Sequence, residues 1–254
     1  MEIHPVPTSL SPQQLVAHRG YQKKFPENTA LSVSKAIEAG ALFVEIDIQM
    51  SLDQHPIVFH DLTLKRVSGG SGTVHQLTLQ ELTALPACEP KRLGNAFLAE
   101  TISPLARIVE IVCQHPAVTL FVELKEESID HFGAELMLER VCDILQPIQQ
   151  RAVLISFDYA IIEMARARGW PLVGAVLREW NDIHSPLLTR IAGDYTFIDH
   201  HIIPRSSDLS HLKTRLVAYE VGTVTLAESL AAGGVHMLET FDIEGLLATS
   251  PANR

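Results

Sequence analysis

Short apolar runs alternate with amphipathic stretches through most of this 254-residue chain. Eight of the runs read as strands: QQLVAHRG, ALFVEIDI, AVTLFVELK, AVLISF, PLVGAVL, YTFID, RLVAYEV and VHMLET. They are short, largely continuous in their apolar character and separated by helix-like segments, the pattern of strands buried on both faces of a parallel sheet. TALSVSKAIEAG reads as a helix capped by Asn28 and stopped at Gly40; DYAIIEMARARG reads as one capped by Asp158 and closed by Gly169. TISPLARIVEIVCQ, HFGAELMLERVCDILQPIQQ, SPLLTRIAG, SSDLSHLK, TLAESLAAGG and FDIEGLLA supply the others. Eight strand-then-helix units in a chain of about 250 residues predict an α/β fold, the (β/α)8 TIM barrel. An open doubly wound sheet would need a glycine-rich first crossover, and the first crossover here carries only Gly20.

The second unit departs from the rhythm. After ALFVEIDI come a turn, SLDQHP, a short strand, PIVFH, and an irregular segment over about residues 62–101 before the next helix. The expectation is one domain spanning 1–254 with a small insertion after the second strand, on the C-terminal face where loops of this fold carry function. SGGSG at 68–72 lacks the strand–loop–helix setting of a phosphate cradle and reads as a turn.

Charge narrows the partners. Twenty Lys and Arg against 30 Asp and Glu give a formal net charge of −10. That argues against nucleic acid, which needs a basic footprint, and against stable association with an anionic membrane. Cys88, Cys113 and Cys142 are too few and too dispersed for a disulfide framework; Cys113 and Cys142 are expected to be small core residues. No basic-then-apolar leader and no run of ~18 apolar residues is present, so the expected location is cytoplasmic.

In such a barrel the C-terminal ends of the strands open on one mouth. His18 and Arg19 end the first strand, and Glu45 and Asp47 alternate with apolar residues on the second. His60 ends its return, Glu123 and Lys125 close the third, and Glu239 closes the eighth. Period-two alternation puts Glu45 and Asp47 on one face. Carboxylates converging from two strands suit a hard divalent cation such as Mg2+ or Ca2+. Zinc fits less well, since no cysteine or fixed histidine spacing accompanies them. Arg19 and Lys125 match an anionic oxygen-rich group, of which phosphate is the simplest. Two histidines able to titrate near neutrality complete a set for phosphoryl transfer. His4, His55, His75, His115, His131, His184, His211 and His236 are assigned structural places, as are His200 and His201, although these last two follow YTFID at a mouth position.

The ordered motifs extend this reading. His18-Arg19-Gly20, Pro26-Glu27-Asn28-Thr29, Glu45-x-Asp47, His55-Pro56-Ile57-Val58-Phe59-His60-Asp61, Leu64, Arg66, Gly72-Thr73-Val74, Leu77-Thr78, Glu81-Leu82, Glu123-Leu124-Lys125 and Ser156-Phe157 stand in sequence. With them the chain resembles the glycerophosphodiester phosphodiesterase family. The resemblance implies a (β/α)8 barrel with an insertion after the second strand, and hydrolysis of a glycerophosphodiester to glycerol 3-phosphate and an alcohol. It implies Glu45, Asp47 and Glu123 as metal ligands, His18 and His60 as the acid–base pair, and Arg19 and Lys125 as phosphate contacts. Glu27 is expected to order the first helix rather than bind metal, and Glu239 has no acidic counterpart in that family.

Two runs depart from the family's pattern. Tyr219-Glu220-Val221-Gly222 stands where the family usually has Trp, and Thr240-Phe241-Asp242 lacks the usual proline. These bear on the substrate's far end. The alternatives are a phosphodiesterase acting on lysophospholipids, with LGNAFLAE at an apolar entrance, and a barrel that binds phosphodiesters without turning them over.

Overall fold

A computed structural model describes residues 10–204, 209 and 212–248. Its strands are β1 (Leu15–Ala17), β2 (Phe43–Met50), β3 (Pro56–Val58), β4 (Ser103–Pro104), β5 (Thr119–Leu124), β6 (Ala152–Ser156), β7 (Leu172–Leu177), β8 (Tyr195–Asp199), β9 (Arg215–Tyr219) and β10 (Met237–Thr240). Eight pair in parallel in the order β1-β2-β5-β6-β7-β8-β9-β10, and β10 returns to β1. The ring is closed, so the chain is the (β/α)8 barrel that its alternating pattern predicts. β3 folds back antiparallel on β2 and β4 antiparallel on β3, outside the ring.

Period-two alternation divides each barrel strand between two cores. Val16, Phe121, Val153, Ile155, Val176, Phe197, Val217 and Met237 fill the lumen. Val44, Ile46 and Ile48 face outward and pack with Val33 and Ala36 of the helix Ala30–Glu38 and with Ile108 and Val112 of the helix Leu105–Cys113. Each such aliphatic or aromatic side chain contributes about 1.5–3 kcal/mol on burial. Because the lumen is packed by side chains, the polar residues at its C-terminal end form the floor of a shallow mouth.

The segment after β3 is built from one-turn helices at Lys65–Ser68, Leu79–Thr83 and Pro90–Leu93 and a 3-10 turn at Val74–Gln76. A separate apolar cluster, including Ile57, Phe59, Leu64, Val67, Val74, Leu82 and Ile102, holds them together.

Several local expectations need correction. Asn28 does not cap the first helix: its φ is 55°, and Thr29 is the cap, its hydroxyl accepting the Ser32 N–H. An N-cap residue needs extended backbone, which Thr29 has and Asn28 lacks. The long run after β5 is split at Gly133 into helices Glu126–Phe132 and Ala134–Leu145. Cys113 is exposed at the end of its helix and Cys142 is half-buried, so neither is a core cysteine. Asp158 caps its helix as expected, accepting from the N–H groups of Ala160 and Ile161. His4, and residues 206–208, 210 and 211 of the helix expected at SSDLSHLK, His211 among them, lie outside the described residues.

Candidate active site

The inward faces of β2 and β5 carry Glu45, Asp47 and Glu123 to the mouth, and the register sets Asp47 beside Glu123. His18 and Arg19 follow β1, Lys125 follows β5, His60 lies two residues beyond β3, and Glu239 lies on β10 beside Val16. His18, Arg19, His60, Glu123, Lys125 and Glu239 line one cavity of about 140 Å³, and Phe157, Phe197 and Tyr219 form its apolar wall. All seven residues singled out for catalysis, phosphate or metal thus gather at one end of the barrel. The largest cavity described, about 730 Å³, lies at the opposite end around Gln13, Phe43, Arg215 and Met237 and contains none of them.

Glu45, Asp47 and Glu123 each offer one oxygen within 4.8 Å of the others. All three carboxylates are largely buried. Lys125 Nζ donates to Asp47 Oδ1 at 3.2 Å and to Glu123 Oε1 at 2.7 Å. Asn28 Nδ2 donates to Asp47 Oδ2 at 2.8 Å, and the Asp47 N–H donates back to Asn28 Oδ1 at 3.0 Å. Burial opposes ionisation of Asp47, but Lys125 and Arg19 override it and hold its carboxyl far below the usual range. Burial, followed by the charges of Asp47, Glu239 and Glu123, pushes Glu45 well above that range. Burial also raises Glu123. Glu45 Oε2 accepts the Arg19 backbone N–H at 3.0 Å, while its Oε1 is buried with no hydrogen-bond partner. An orphaned carboxylate oxygen among like charges fits coordination to a cation, and three carboxylates with no sulfur donor fit a hard divalent ion.

Arg19 sits at φ 52°, turning its side chain back over the strand ends. Its Nη1 donates to Glu27 Oε1 at 3.0 Å, and its Nε lies 3.1 Å from Asp47 Oδ2. Glu27 does not serve the first helix as expected. It is fully buried and accepts from Arg19, from Gln22 at 2.9 Å and from both terminal nitrogens of Arg66 at 2.7 Å. Burial would favour its neutral form, yet Arg66 and Arg19 hold it below the usual carboxylate range. Arg66 also donates from Nε to Asp61 Oδ2 at 2.8 Å, and Asp61 Oδ1 is 2.8 Å from His60 Nδ1. An unbroken chain of alternating charge therefore runs Asp47–Arg19–Glu27–Arg66–Asp61–His60. Its far end fixes Nδ1 of His60 on a carboxylate and leaves Nε2 for the cavity. His18 is buried, and burial and then Arg19 push its pKa down to about 3, so the ring is neutral at physiological pH.

Four of these partners, Glu27, Asn28, Asp61 and Arg66, have no functional role in the sequence reading, although each lies inside a quoted motif. Asp61 and Arg66 stand one and six residues after His60, and Glu27 and Asn28 stand eight and nine after Arg19, so membership of a quoted motif was their only signal. Glu239 is the fifth. Its side chain is 4% exposed and its Oε2 lies 3.9 Å from His18 Nε2. His200 and His201 stand away from the cavity floor, where His201 Nδ1 lies 2.7 Å from its near neighbour Asp199.

The chain is 31% identical over 145 residues to a glycerophosphodiester phosphodiesterase of Caldanaerobacter subterraneus, covering 57% of this chain and 58% of that one. It is 35% identical over 172 residues to glycerophosphodiester phosphodiesterase 1 of Rattus norvegicus, covering 67% of this chain and 50% of that one. It thus spans about half the length of the curated relatives it matches. An Oleispira antarctica phosphodiesterase, solved with the product sn-glycerol-3-phosphate, superposes with a TM-score of 0.81 at 26% identity, over 93% of this chain and 96% of that one. Residues 18–177, which run from His18 through both carboxylate strands to the end of β7, match the Glycerophosphoryl diester phosphodiesterase family, and the chain belongs to that family.

Proposed function

We propose that this chain, as one catalytic domain over 1–254 with its insertion at about 62–101, hydrolyses glycerophosphodiesters to glycerol 3-phosphate and an alcohol. The observation that carries this reading is one cavity lined by His18, His60, Arg19, Lys125 and Glu123, with Glu45 and Asp47 each offering an oxygen within 4.8 Å of one on Glu123. Family membership supports the reaction class, and the product bound to the Oleispira relative supports the product. A cavity of about 140 Å³ suits a glycerol phosphate better than an acyl chain, and drug-sized ligands occupy roughly 300–1,000 Å³.

Glu45, Asp47 and Glu123 would hold one divalent cation, Mg2+ or Ca2+, which when bound sets positive charge against the phosphoryl oxygens. Lys125 and Arg19 meet the same oxygens from the sides, oriented by their ties to Asp47, Glu123 and Glu27. His18, kept neutral by its burial, takes the proton from the attacking water. His60, its Nδ1 held on Asp61, gives the proton on Nε2 to the leaving alcohol oxygen.

Purified chain with Mg2+ or Ca2+ and glycerophosphocholine, coupled to detection of glycerol 3-phosphate, should give product. Absence of product with either ion between about pH 6 and 9 removes the reading. His60→Ala should abolish turnover and leave metal binding nearly intact, whereas Glu45→Ala should lose both.

A further inference from the structure

Beside the carboxylate triad lies a second group of donors. His18 Nε2 is 4.0 Å from Glu45 Oε2 and 3.9 Å from Glu239 Oε2. One donor atom from each of these three residues lies within 4.8 Å of the other two. Glu239 Oε1 is buried with no hydrogen-bond partner, and so is Glu45 Oε1. Both carboxyl side chains are less than 5% exposed. A buried carboxylate oxygen facing a histidine nitrogen and another carboxylate, with no donor nearby, is unfavourable until something positive lies between them.

The charge around the mouth points the same way. Glu27, Glu45, Asp47, Asp61, Glu123 and Glu239 face Arg19, Arg66 and Lys125, six carboxylates against three fixed cations. Once metal binding has ionised all of them, one divalent ion on the triad leaves a negative site, and a phosphodiester adds another negative charge. A second divalent ion brings the total to neutral.

We propose that His18, Glu45 and Glu239 form a second divalent-cation site, adjoining the triad and sharing Glu45 with it. The inference rests on the proposed role of the triad and of His18. Its donor set differs in kind: an imidazole nitrogen beside two carboxylates favours a borderline ion such as Mn2+ over Mg2+ or Ca2+. Glu45 can serve both sites because its two oxygens are separately available, Oε1 free and Oε2 held only by a backbone N–H. Filling the second site commits His18 Nε2 to the ion and withdraws it from proton transfer. The second ion is therefore inhibitory, and the site makes turnover sensitive to the concentration and kind of metal.

Equilibrium dialysis of the purified full chain against Mn2+, with metal counted per chain, tests this. Two ions are expected in the unaltered protein and one in Glu239→Gln. One ion in the unaltered protein overturns the second site and leaves the triad standing; none overturns the triad as well, so the two failures are distinguishable. Two ions in Glu239→Gln also overturn it. Electron paramagnetic resonance of the loaded, unaltered protein gives an answer independent of the variant's folding. An exchange-coupled pair is expected, and only isolated Mn2+ signals count against it. Turnover should rise and then fall with Mn2+, the falling limb moving at least ~10-fold higher in Glu239→Gln. A saturating curve with no falling limb, while two ions are bound, removes the inhibitory role.

Discussion

Asn28 grips Asp47 twice, donating from Nδ2 to Oδ2 and accepting the Asp47 N–H on Oδ1. The grip depends on a left-handed backbone at Asn28, φ 55°, which turns the amide away from the first helix and toward β2. Asn28→Gly keeps that φ at no steric penalty and removes both hydrogen bonds. It should lower divalent-ion affinity about 10–100-fold, as loss of a partner that orients a ligand commonly does. The orphaned N–H of Asp47 should lower stability by about 1–3 kcal/mol. Calorimetric titration with Mg2+ and a urea melt measure the two effects separately; unchanged affinity would mean that Asp47 needs no orienting partner.

Asp61 is the carboxylate that fixes His60. Asp61→Asn keeps the shape but removes the charge, and its amide can present an N–H to Nδ1 in place of an acceptor. The ring then loses the acceptor that orients it. We expect kcat to fall at least ~10-fold with little change in KM, since Asp61 is not among the residues that line the cavity. An equal fall in kcat with an equal rise in KM would place Asp61 in substrate binding instead.

Gly20 joins β1 to the loop that carries Glu27 and Asn28. A Cβ there would lie 2.5 Å from Ser32 Oγ and 2.6 Å from the Ser32 carbonyl carbon, and φ is +77°. Backbone contact cannot be relieved by a rotamer change. Gly20→Ala should destabilise the fold by roughly 2–4 kcal/mol, combining the left-handed penalty with overpacking. At ~2–4 °C per kcal/mol for a chain of this size, a thermal melt shows the loss directly, and an unshifted Tm would contradict the packing described.

His75 gives the stability a pH dependence apart from catalysis. Its ring stacks on His131 at 4.7 Å, and its Nε2 lies 2.9 Å from Ser128 Oγ. Burial, and then the charge of His131, lower its pKa from the ordinary 6.5. The unfolded chain therefore binds more protons than the folded one just below that value. Stability from this group is complete above about pH 6.5 and declines as the pH falls toward the folded pKa. Urea midpoints at about pH 7.5 and about pH 5.5 should differ more in the unaltered protein than in His75→Gln. An identical difference would assign the acid sensitivity elsewhere.

The barrel was legible because its signal is periodic. Eight apolar runs with helices between them admit few closed arrangements, and alternation on β2 and β5 sends Glu45, Asp47 and Glu123 to one face regardless of loop detail. What the pattern does not encode is local dihedral choice. PENT offers two good caps side by side, and only the left-handed turn at Asn28 decides that Thr29 takes the helix while Asn28 takes Asp47. Likewise Glu27 reads as an acid that orders the first helix until Arg66, 39 residues later, folds over it. Glu239 falls outside the family's pattern, and its burial opposite His18 depends on ring closure between β10 and β1, a contact between the first and last strands of the barrel.

The small apolar cluster under the insertion has a consequence for how such barrels diversify. Glu89 accepts the Glu27 N–H at 2.8 Å, and Arg92 reaches the carbonyls of Gln22 and Phe25, while Arg66 clasps Glu27 itself. The piece that looks most like a transferable module is therefore wired into the first loop of the barrel. Exchanging it between relatives would change the rim and unfasten His60 and Arg19 in the same step. Among the described residues no ion pair ties the first loop to the side of the mouth formed by β6 to β9, so substitutions on that side would leave His60 and Arg19 fastened.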